Sequence, residues 1–148
     1  MRFVIQRVNY ASVSVEGKVI GKIGKGFMVL IGVCQEDTIE VADKMLHKMT
    51  GLRIFQDAQG KTNLALRDVG GALLLVSQFT LYANCKKGFR PSFIEAGEPA
   101  HAQRLYEYMI EQCRKQEFVV ETGSFGADMQ VALENDGPFT IVLDSENL

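Results

Sequence analysis

The sequence is poor in the side chains on which most enzyme active sites depend. It contains only two histidines, His47 and His101, and the helical patterns around them place both on solvated surfaces. A Ser/His/Asp or Cys/His triad therefore has no obvious base. No group of His, Cys, Asp and Glu residues has the spacing of metal ligands, so we expect no metal and no other cofactor.

Cysteine is also scarce. Cys34, Cys85 and Cys113 are odd in number, far apart and form no CxxC pair. This pattern argues against a disulfide framework and a zinc site, and it favours a reducing, cytoplasmic location. No run of about 18 apolar residues is present, so we expect no membrane span. Arg2 and Arg7 interrupt the apolar residues near the start of the chain, which argues against a signal peptide.

A large excess of charge is missing as well. The chain has 16 basic and 18 acidic residues, and its formal net charge is −2. This balance argues against a generally basic surface of the kind that binds nucleic acids along its whole length. Any contact with a nucleic acid is therefore expected to be local.

The 148 residues are predicted to form one domain, residues 1–148. Predicted strands outnumber helices, and most connections are short enough for antiparallel pairing. Two helices are expected, the first with Asp37 as its cap and Gly51 at its end, the second starting near Pro99. The expected fold is α+β, with a mainly antiparallel, curved or barrel-like sheet and two main helices.

The stretch 73–83, with the sequence LLLVSQFTLYA, is predicted to be a buried strand. It contains the polar side chains of Ser77, Gln78 and Thr80, which need hydrogen-bond partners if they are buried. Two interpretations remain open. The polar groups either bond to neighbouring backbone within the core, or the strand ends at the floor of a site.

The loop that follows, residues 84–93, mixes charge with aromatic rings, and we call it the basic loop. Lys86, Lys87 and Arg90 alternate with Phe89 and Phe93. Such a loop is able to pair with phosphates and stack on a base or ribose. The alternative, slightly favoured by composition alone, is a solvated loop that the two phenylalanines fix to the core.

Residues 135–138, Asn-Asp-Gly-Pro, are typical of a turn between two strands. The Gly137–Pro138 bond is of a type in which the cis form costs little, about 0.5–1 kcal/mol. In that form two successive carbonyls would point in one fixed direction and make a rigid polar edge.

Three motifs together identify a family resemblance. SQFTL at 77–81, KGFRPSF at 87–93 and NDGPFT at 135–140 resemble the D-aminoacyl-tRNA deacylases, and the likeness extends over essentially the whole chain. The resemblance implies hydrolysis of the ester that joins a D-amino acid, or mischarged glycine, to the terminal adenosine of tRNA. It also implies a homodimer.

The resemblance further implies that Ser77, Gln78, Phe79 and Thr80 form a hydrolytic floor built largely from backbone. Donors aimed at a developing oxyanion are each worth about 10²–10³-fold in rate at comparable sites. The Thr80 hydroxyl would lie near the ester. Three possibilities remain open: Thr80 attacks the ester, Thr80 positions a water molecule, or the tRNA ribose hydroxyl drives the reaction instead. A supporting role is favoured, because no nearby residue is suited to deprotonate it.

Selectivity, by the same resemblance, belongs to Gly137 and Pro138 in the cis form, inserted from the second subunit. Their carbonyls would exclude an L side chain by a clash, whereas glycine has no side chain to exclude. Arg7 would hold this loop through carbonyl hydrogen bonds. Met129 would form a pocket wall, Phe89 would add to the substrate-binding set, and the tRNA end would meet Lys86, Lys87 and Arg90.

Two alternatives compete with this interpretation. One is a small RNA-binding module that uses the basic loop without any chemistry. The other is a cysteine hydrolase in which Lys86 and Lys87 lower the pKa of the Cys85 thiol. An incidental loop cysteine is the favoured view of Cys85, because no partner base is apparent.

Overall fold

A long first strand organises the sheet. The computed structural model describes all 148 residues and begins with β1, Arg2–Val15, in which buried and more exposed residues alternate over most of the length. This period of two turns one side of the strand toward the core. β1 pairs antiparallel with β2 (Lys18–Ile23) and β3 (Gly26–Gly32) along one edge, and with β8 (Gln130–Asp144) along the other.

The centre of the sheet is parallel. β6 (Ala72–Ser77) lies parallel to β3 and to β7 (Val120–Thr122), so the order is β2–β1–β3–β6–β7 with β8 beside β1. β2 also contacts β6 and β7, which nearly closes the sheet into a barrel. At Gly21 this approach is so close that a Cβ would lie 2.8 Å from the Thr122 carbonyl oxygen.

The predicted α+β fold with a curved, barrel-like sheet and two main helices is therefore confirmed. The parallel pairs at its centre are a detail that the short connections did not reveal. The chain between β3 and β6 contains a helix and a small hairpin, β4 (Phe55–Gln56) with β5 (Thr62–Leu64). A connection of this length allows the parallel crossover.

Both helices, α1 (Ile39–Gly51) and α2 (Pro99–Lys115), cover one face of the sheet. Their buried faces follow the predicted helical spacing and are confirmed: Ala42, Met45, Leu46 and Met49 in α1, and Ala102, Leu105, Tyr106, Met109 and Cys113 in α2. Pro99 occupies the first turn of α2, as expected. Neither helix has the length and apolar character that crossing a membrane requires.

The predicted cap of α1 is wrong by one residue. Thr38 is the N-cap, and its hydroxyl accepts a hydrogen bond from the Val41 amide at 3.3 Å. Asp37 is instead buried, and its carboxylate accepts from the Cys34 amide and from the amine of Met1, both at 2.8 Å. Both carboxylate oxygens of Asp37 are thus hydrogen-bonded to groups outside α1, and neither caps the helix.

The predicted strand 73–83 is also too long. The parallel register of β6 with β3 ends where Ser77 lies opposite Ile31, and the Gln78 amide donates to the Ile31 carbonyl at 2.7 Å. The chain then turns into a short 3-10 helix, Phe79–Tyr82. Because β3 itself ends at Gly32, no neighbouring backbone is left to continue the ladder.

Candidate functional site

The turn after β6 presents backbone donors. Its first hydrogen bond runs from the Leu81 amide to the Gln78 carbonyl at 3.3 Å. The amides of Phe79 and Thr80 precede this bond, so they have no acceptor within the short helix. Both residues are exposed. Two adjacent N–H groups are therefore available at the position where the SQFTL motif places its floor.

The Thr80 hydroxyl is held by its neighbour. The Gln78 side-chain amide donates to Thr80 Oγ1 at 2.6 Å, and no carboxylate or imidazole contacts that oxygen. An amide donor cannot remove a proton, so Gln78 orients the hydroxyl without activating it as a nucleophile. The Thr80 proton is left free to donate to a ligand.

A cavity of about 670 Å³ opens beside this turn. Ser77, Gln78 and Phe79 line one side of it, and Met129 lines another. Most of its walls are apolar, and its volume is that of a small-molecule site. Phe93 also faces the cavity and packs edge-on against Phe79, with ring centroids 5.1 Å apart. A strand end, a helix end and an aromatic pair together shape this pocket.

Several cavity residues carried no functional signal in the sequence. Tyr106, assigned to the core from its helical spacing, lines the cavity and donates from its hydroxyl to the Leu75 carbonyl at 2.6 Å. Burial raises the pKa of Tyr106 to about 12, so its hydroxyl keeps its proton near neutral pH. Glu98 and Pro99, at the start of α2, line the same wall. In the sequence, Pro99 indicated only the start of a helix, and Glu98 gave no signal.

The region 135–138 is not a turn between two strands. It is a bulge inside the single strand β8, whose pairing with β1 passes from Val8 opposite Asn135 directly to Gln6 opposite Thr140. Residues 136–139 leave the ladder opposite Arg7. We call them the β8 loop. The Gly137–Pro138 bond in the loop is cis, and both residues are exposed.

Arg7 packs under the β8 loop. Its guanidinium is buried, and it donates from Nε to the Asp136 carbonyl at 3.1 Å and from Nη1 to the Ile54 carbonyl at 2.6 Å. The Asp136 carboxylate lies 3.3 Å from Nε, and the Phe139 ring lies 4.7 Å from the guanidinium carbon. Charge-assisted hydrogen bonds of this kind are strong, so Arg7 ties the loop to the core.

The basic loop lies elsewhere. Backbone hydrogen bonds between Asn84 and Ser92, at 2.7 and 2.9 Å, close its base. Lys86, Lys87 and Arg90 are exposed at its tip, and Phe89 is fully exposed with them. The expectation that both phenylalanines fix the loop to the core is therefore wrong for Phe89, because only Phe93 makes an aromatic contact with the body of the protein.

The residues singled out in the sequence thus fall into three groups within one chain. Ser77, Gln78, Phe79 and Met129 line the cavity, and Thr80 adjoins them. Arg7, Gly137 and Pro138 form the β8 loop and its support, and Phe89 lies with the three basic residues; none of these lines the cavity. The structure brings the first group together but does not join it to the second.

Histidine placement differs in part from expectation. The prediction that His101 is solvated is wrong for one of its ring nitrogens, since Nε2 is buried without a hydrogen-bond partner. His101 lies in the first turn of α2, close to the wall formed by Pro99. His47 is exposed, as predicted. No cluster of three or more His, Cys, Asp or Glu side chains is arranged to hold a metal ion.

The model of the family described as D-Tyr-tRNA(Tyr) deacylase matches residues 4–144. The chain belongs to this family. The match spans all three residue groups, from Arg7 to the β8 loop, and so includes the SQFTL and NDGPFT motifs.

Relatives of this deacylase family extend the likeness over whole chains. A D-aminoacyl-tRNA deacylase of Lactobacillus helveticus is 58% identical over 144 residues, which is 97% of this chain and 99% of the relative. A D-aminoacyl-tRNA deacylase of Thermosipho melanesiensis is 53% identical over 149 residues, covering 100% and 99% of the two chains.

Solved structures share the fold. A c-Myc DNA Unwinding Element Binding Protein superimposes with a TM-score of 0.91 at 42% identity, covering 97% of this chain and 98% of its own. A probable eukaryotic D-amino acid tRNA deacylase superimposes with a TM-score of 0.78 at 18% identity, covering 96% and 97%. The second likeness shows the fold alone.

Proposed function

We propose that this chain hydrolyses the ester bond of D-aminoacyl-tRNA, and also of mischarged glycyl-tRNA, and so removes D-amino acids and misplaced glycine before protein synthesis. One observation carries the proposal. In a chain that belongs to the deacylase family, the SQFTL motif lies at a cavity of about 670 Å³, with exposed backbone donors at its edge. Residues 1–148 would act as one catalytic domain.

The reaction demands little of side chains. Water adds to the ester carbonyl, the bond from that carbon to the ribose oxygen breaks, and the ribose oxygen leaves with a proton. An aminoacyl ester is already activated, so stabilising the oxyanion supplies much of the rate. The amides of Phe79 and Thr80 are the proposed donors, and the Thr80 hydroxyl, held by Gln78 at 2.6 Å, is the proposed third donor.

Chiral selection is assigned to Gly137 and Pro138. The β8 loop is exposed and does not line the cavity of its own chain, so its carbonyls would have to reach the cavity of a second copy. Strand β8 supports such a pairing, because it is 15 residues long and has β1 as its only strand partner. An L side chain would clash with the inserted carbonyls, whereas a D side chain would point away from them.

The homodimer can be tested by sedimentation. Analytical ultracentrifugation at catalytic working concentrations should give a mass of about two chains. A monomer that retains full activity would contradict the insertion of the β8 loop from a partner.

The tRNA end is proposed to meet the basic loop. Lys86, Lys87 and Arg90 supply local positive charge on a chain of net charge −2, and Phe89 offers an unshielded ring for stacking. The loop adjoins the cavity through Phe93, which lies at its base and also lines the cavity wall. Since aminoacyl-tRNA is used in the cytoplasm, we propose that the enzyme acts there.

The decisive experiment compares two substrates. Purified protein should release D-tyrosine from D-tyrosyl-tRNA and leave L-tyrosyl-tRNA intact under the same conditions, as followed by the fraction of charged tRNA. Equal hydrolysis of both would remove the chiral assignment. Binding of both tRNAs without any release would instead favour the RNA-binding module.

A further inference from the structure

The side chain of Asn135 connects the two ends of the β8 loop. Its Oδ1 accepts a hydrogen bond from the Phe139 amide at 2.6 Å, and its Nδ2 donates to Thr140 Oγ1 at 2.9 Å. The first contact fixes which atom of the side-chain amide is the oxygen, because a backbone N–H only donates. The side chain that precedes the loop is thus bonded to the last loop residue, Phe139, and to Thr140, which follows it.

Gln6 completes this arrangement from the neighbouring strand. Gln6 and Thr140 are register partners across β1 and β8, and Gln6 Nε2 donates to Thr140 Oγ1 at 3.3 Å. The Thr140 oxygen therefore accepts from two amides and retains its own proton. We call Asn135, Thr140 and Gln6 the amide clasp.

The amide clasp and Arg7 hold the loop from opposite sides. Gln6 and Arg7 are consecutive in β1, so their side chains point to opposite faces of the strand. Arg7 is buried and binds the Asp136 carbonyl from the core side, at the start of the loop. The clasp binds the Phe139 amide, at the end of the loop, from the more exposed side. Gly137 and Pro138 are the two residues between these anchors.

We propose that Asn135 is a positioning residue for chiral selection, acting with Thr140 and Gln6 to fix the direction of the Gly137 and Pro138 carbonyls. Carbonyls that exclude an L side chain by a steric clash can do so only if they are not easily displaced. Bracing from one side by Arg7 would leave the far end of the loop free to move. The proposal rests on the proposed deacylase function and assigns its selectivity to residues beyond Arg7.

Four variants test the proposal. Asn135→Leu keeps the approximate size of the side chain and removes both of its hydrogen bonds. Asn135→Asp is the conservative rescue, because its carboxylate can accept from the Phe139 amide and from the Thr140 hydroxyl. Thr140→Val removes the clasp oxygen and keeps the bond to Phe139. Asn9→Leu is the control, since Asn9 donates to Glu134 at 2.8 Å on the same strand pair outside the loop.

The measurement is the ratio of kcat/KM for D-tyrosyl-tRNA to that for L-tyrosyl-tRNA. We expect Asn135→Leu to lower this ratio by about tenfold or more, because the bond to the Phe139 amide inside the loop is lost together with the bond to Thr140. Thr140→Val should lower it by about threefold to fivefold, because it loses both bonds at Oγ1 but keeps the bond to the Phe139 amide. Asn135→Asp and Asn9→Leu should stay within about twofold of the unmodified protein. Hydrogen exchange at the Phe139 amide should accelerate in Asn135→Leu and not in Asn9→Leu.

The outcomes distinguish a failure of the proposed function from a failure of the positioning role of Asn135. If the unmodified protein hydrolyses D- and L-substrates equally, the proposed function fails. If that protein is selective and Asn135→Leu frees the Phe139 amide without lowering the ratio, the positioning role is overturned. Should Asn135→Leu fail to fold, Thr140→Val decides the question, and an unchanged ratio in that variant overturns the proposal.

Discussion

The cavity at the end of β6 is sheltered by the fold, whereas the β8 loop stands out from it. The cavity takes its walls from strands, a helix start and aromatic rings, and most of its lining residues are apolar. The β8 loop exposes Gly137 and Pro138 but is braced beneath by Arg7 and alongside by Asn135. One region offers space and donors, and the other offers rigidity.

This difference explains how an enzyme without a triad would achieve specificity. Donors in a preformed pocket accelerate hydrolysis of any ester that fits, since they act on the carbonyl and not on the side chain. Discrimination then requires a separate element that resists displacement, because a clash with a movable group is relieved at little cost. In the proposed enzyme, the bracing of the β8 loop by Arg7 and Asn135 would meet that requirement. Substitutions at Gly137 and Thr80 perturb one of these regions each and leave the other intact.

The largest effect is expected at Gly137. Its φ is +135°, and a Cβ there would lie 3.1 Å from Arg7 Nη2 and 3.1 Å from the Phe139 nitrogen. Gly137→Ala should therefore shift the carbonyls and lower kcat/KM for D-tyrosyl-tRNA by about 10²-fold. The residue is exposed, so the melting temperature should fall by only about 2–4 °C.

The control for this variant is Gly60→Ala. Gly60 also has a positive φ, +76°, but a Cβ there would meet nothing within 4 Å. It should show a similar small loss of stability and unchanged hydrolysis. If Gly137→Ala hydrolyses D-tyrosyl-tRNA as fast as Gly60→Ala does, the β8 loop has no separate role beside the cavity.

The next effect is expected at Thr80. Thr80→Val removes the hydroxyl that Gln78 orients and preserves the shape of the side chain. If the hydroxyl supports the oxyanion, kcat should fall by about tenfold to 10²-fold, with the preference for the D-substrate retained. Single-turnover hydrolysis of both substrates measures the two quantities. A loss of more than about 10⁴-fold would instead assign the attacking nucleophile to Thr80.

A smaller effect is expected at the basic loop. The triple variant Lys86→Ala/Lys87→Ala/Arg90→Ala should raise KM for tRNA by about tenfold, because contacts to phosphates are lost. KM should also become less sensitive to salt, since each lost phosphate contact removes about 0.7 from the slope of log affinity against log salt concentration on single strands. The value of kcat should be unchanged. A control with the same loss of charge replaces three exposed lysines outside this loop, on β2 and in the β4–β5 hairpin: Lys18, Lys22 and Lys61. Equal effects in the two triple variants would show a general charge effect and no local site.

The two helices and the curved sheet were predictable because their signals are local. Apolar residues at helical spacing identified the buried face of α1, and alternation identified β1. The end of β6 was not predictable, since Leu81 and Tyr82 continue an apolar pattern that only the length of the partner β3 interrupts. Tyr82 is buried as a strand residue would be, although its backbone is helical.

The motifs located the candidate site, but the sequence could not supply its shape. The cavity joins residues as distant in the chain as Val33 and Val131, which no spacing rule connects. The bulge at the β8 loop depends on a change in register between β1 and β8, and the Asn-Asp-Gly-Pro sequence predicts an ordinary turn equally well. The hydrogen bonds from Asn135 to Phe139 and Thr140 depend on that register, so they become visible only in the structure.

The smallest effect is expected at the cysteines. It tests whether hydrolysis depends on a thiol or on the cavity and the β8 loop. Cys113 is buried, and burial raises its pKa to about 11, so it remains a protonated, shielded thiol at pH 7.5. Burial also raises the pKa of Cys34. Iodoacetamide should therefore label the exposed Cys85 first, as mass spectrometry can show, and D-tyrosyl-tRNA hydrolysis should stay within about twofold of its starting rate. Cys85→Ser should behave in the same way. Loss of hydrolysis in step with Cys85 labelling, repeated in Cys85→Ser, would move the chemistry from the cavity at the end of β6 to the basic loop.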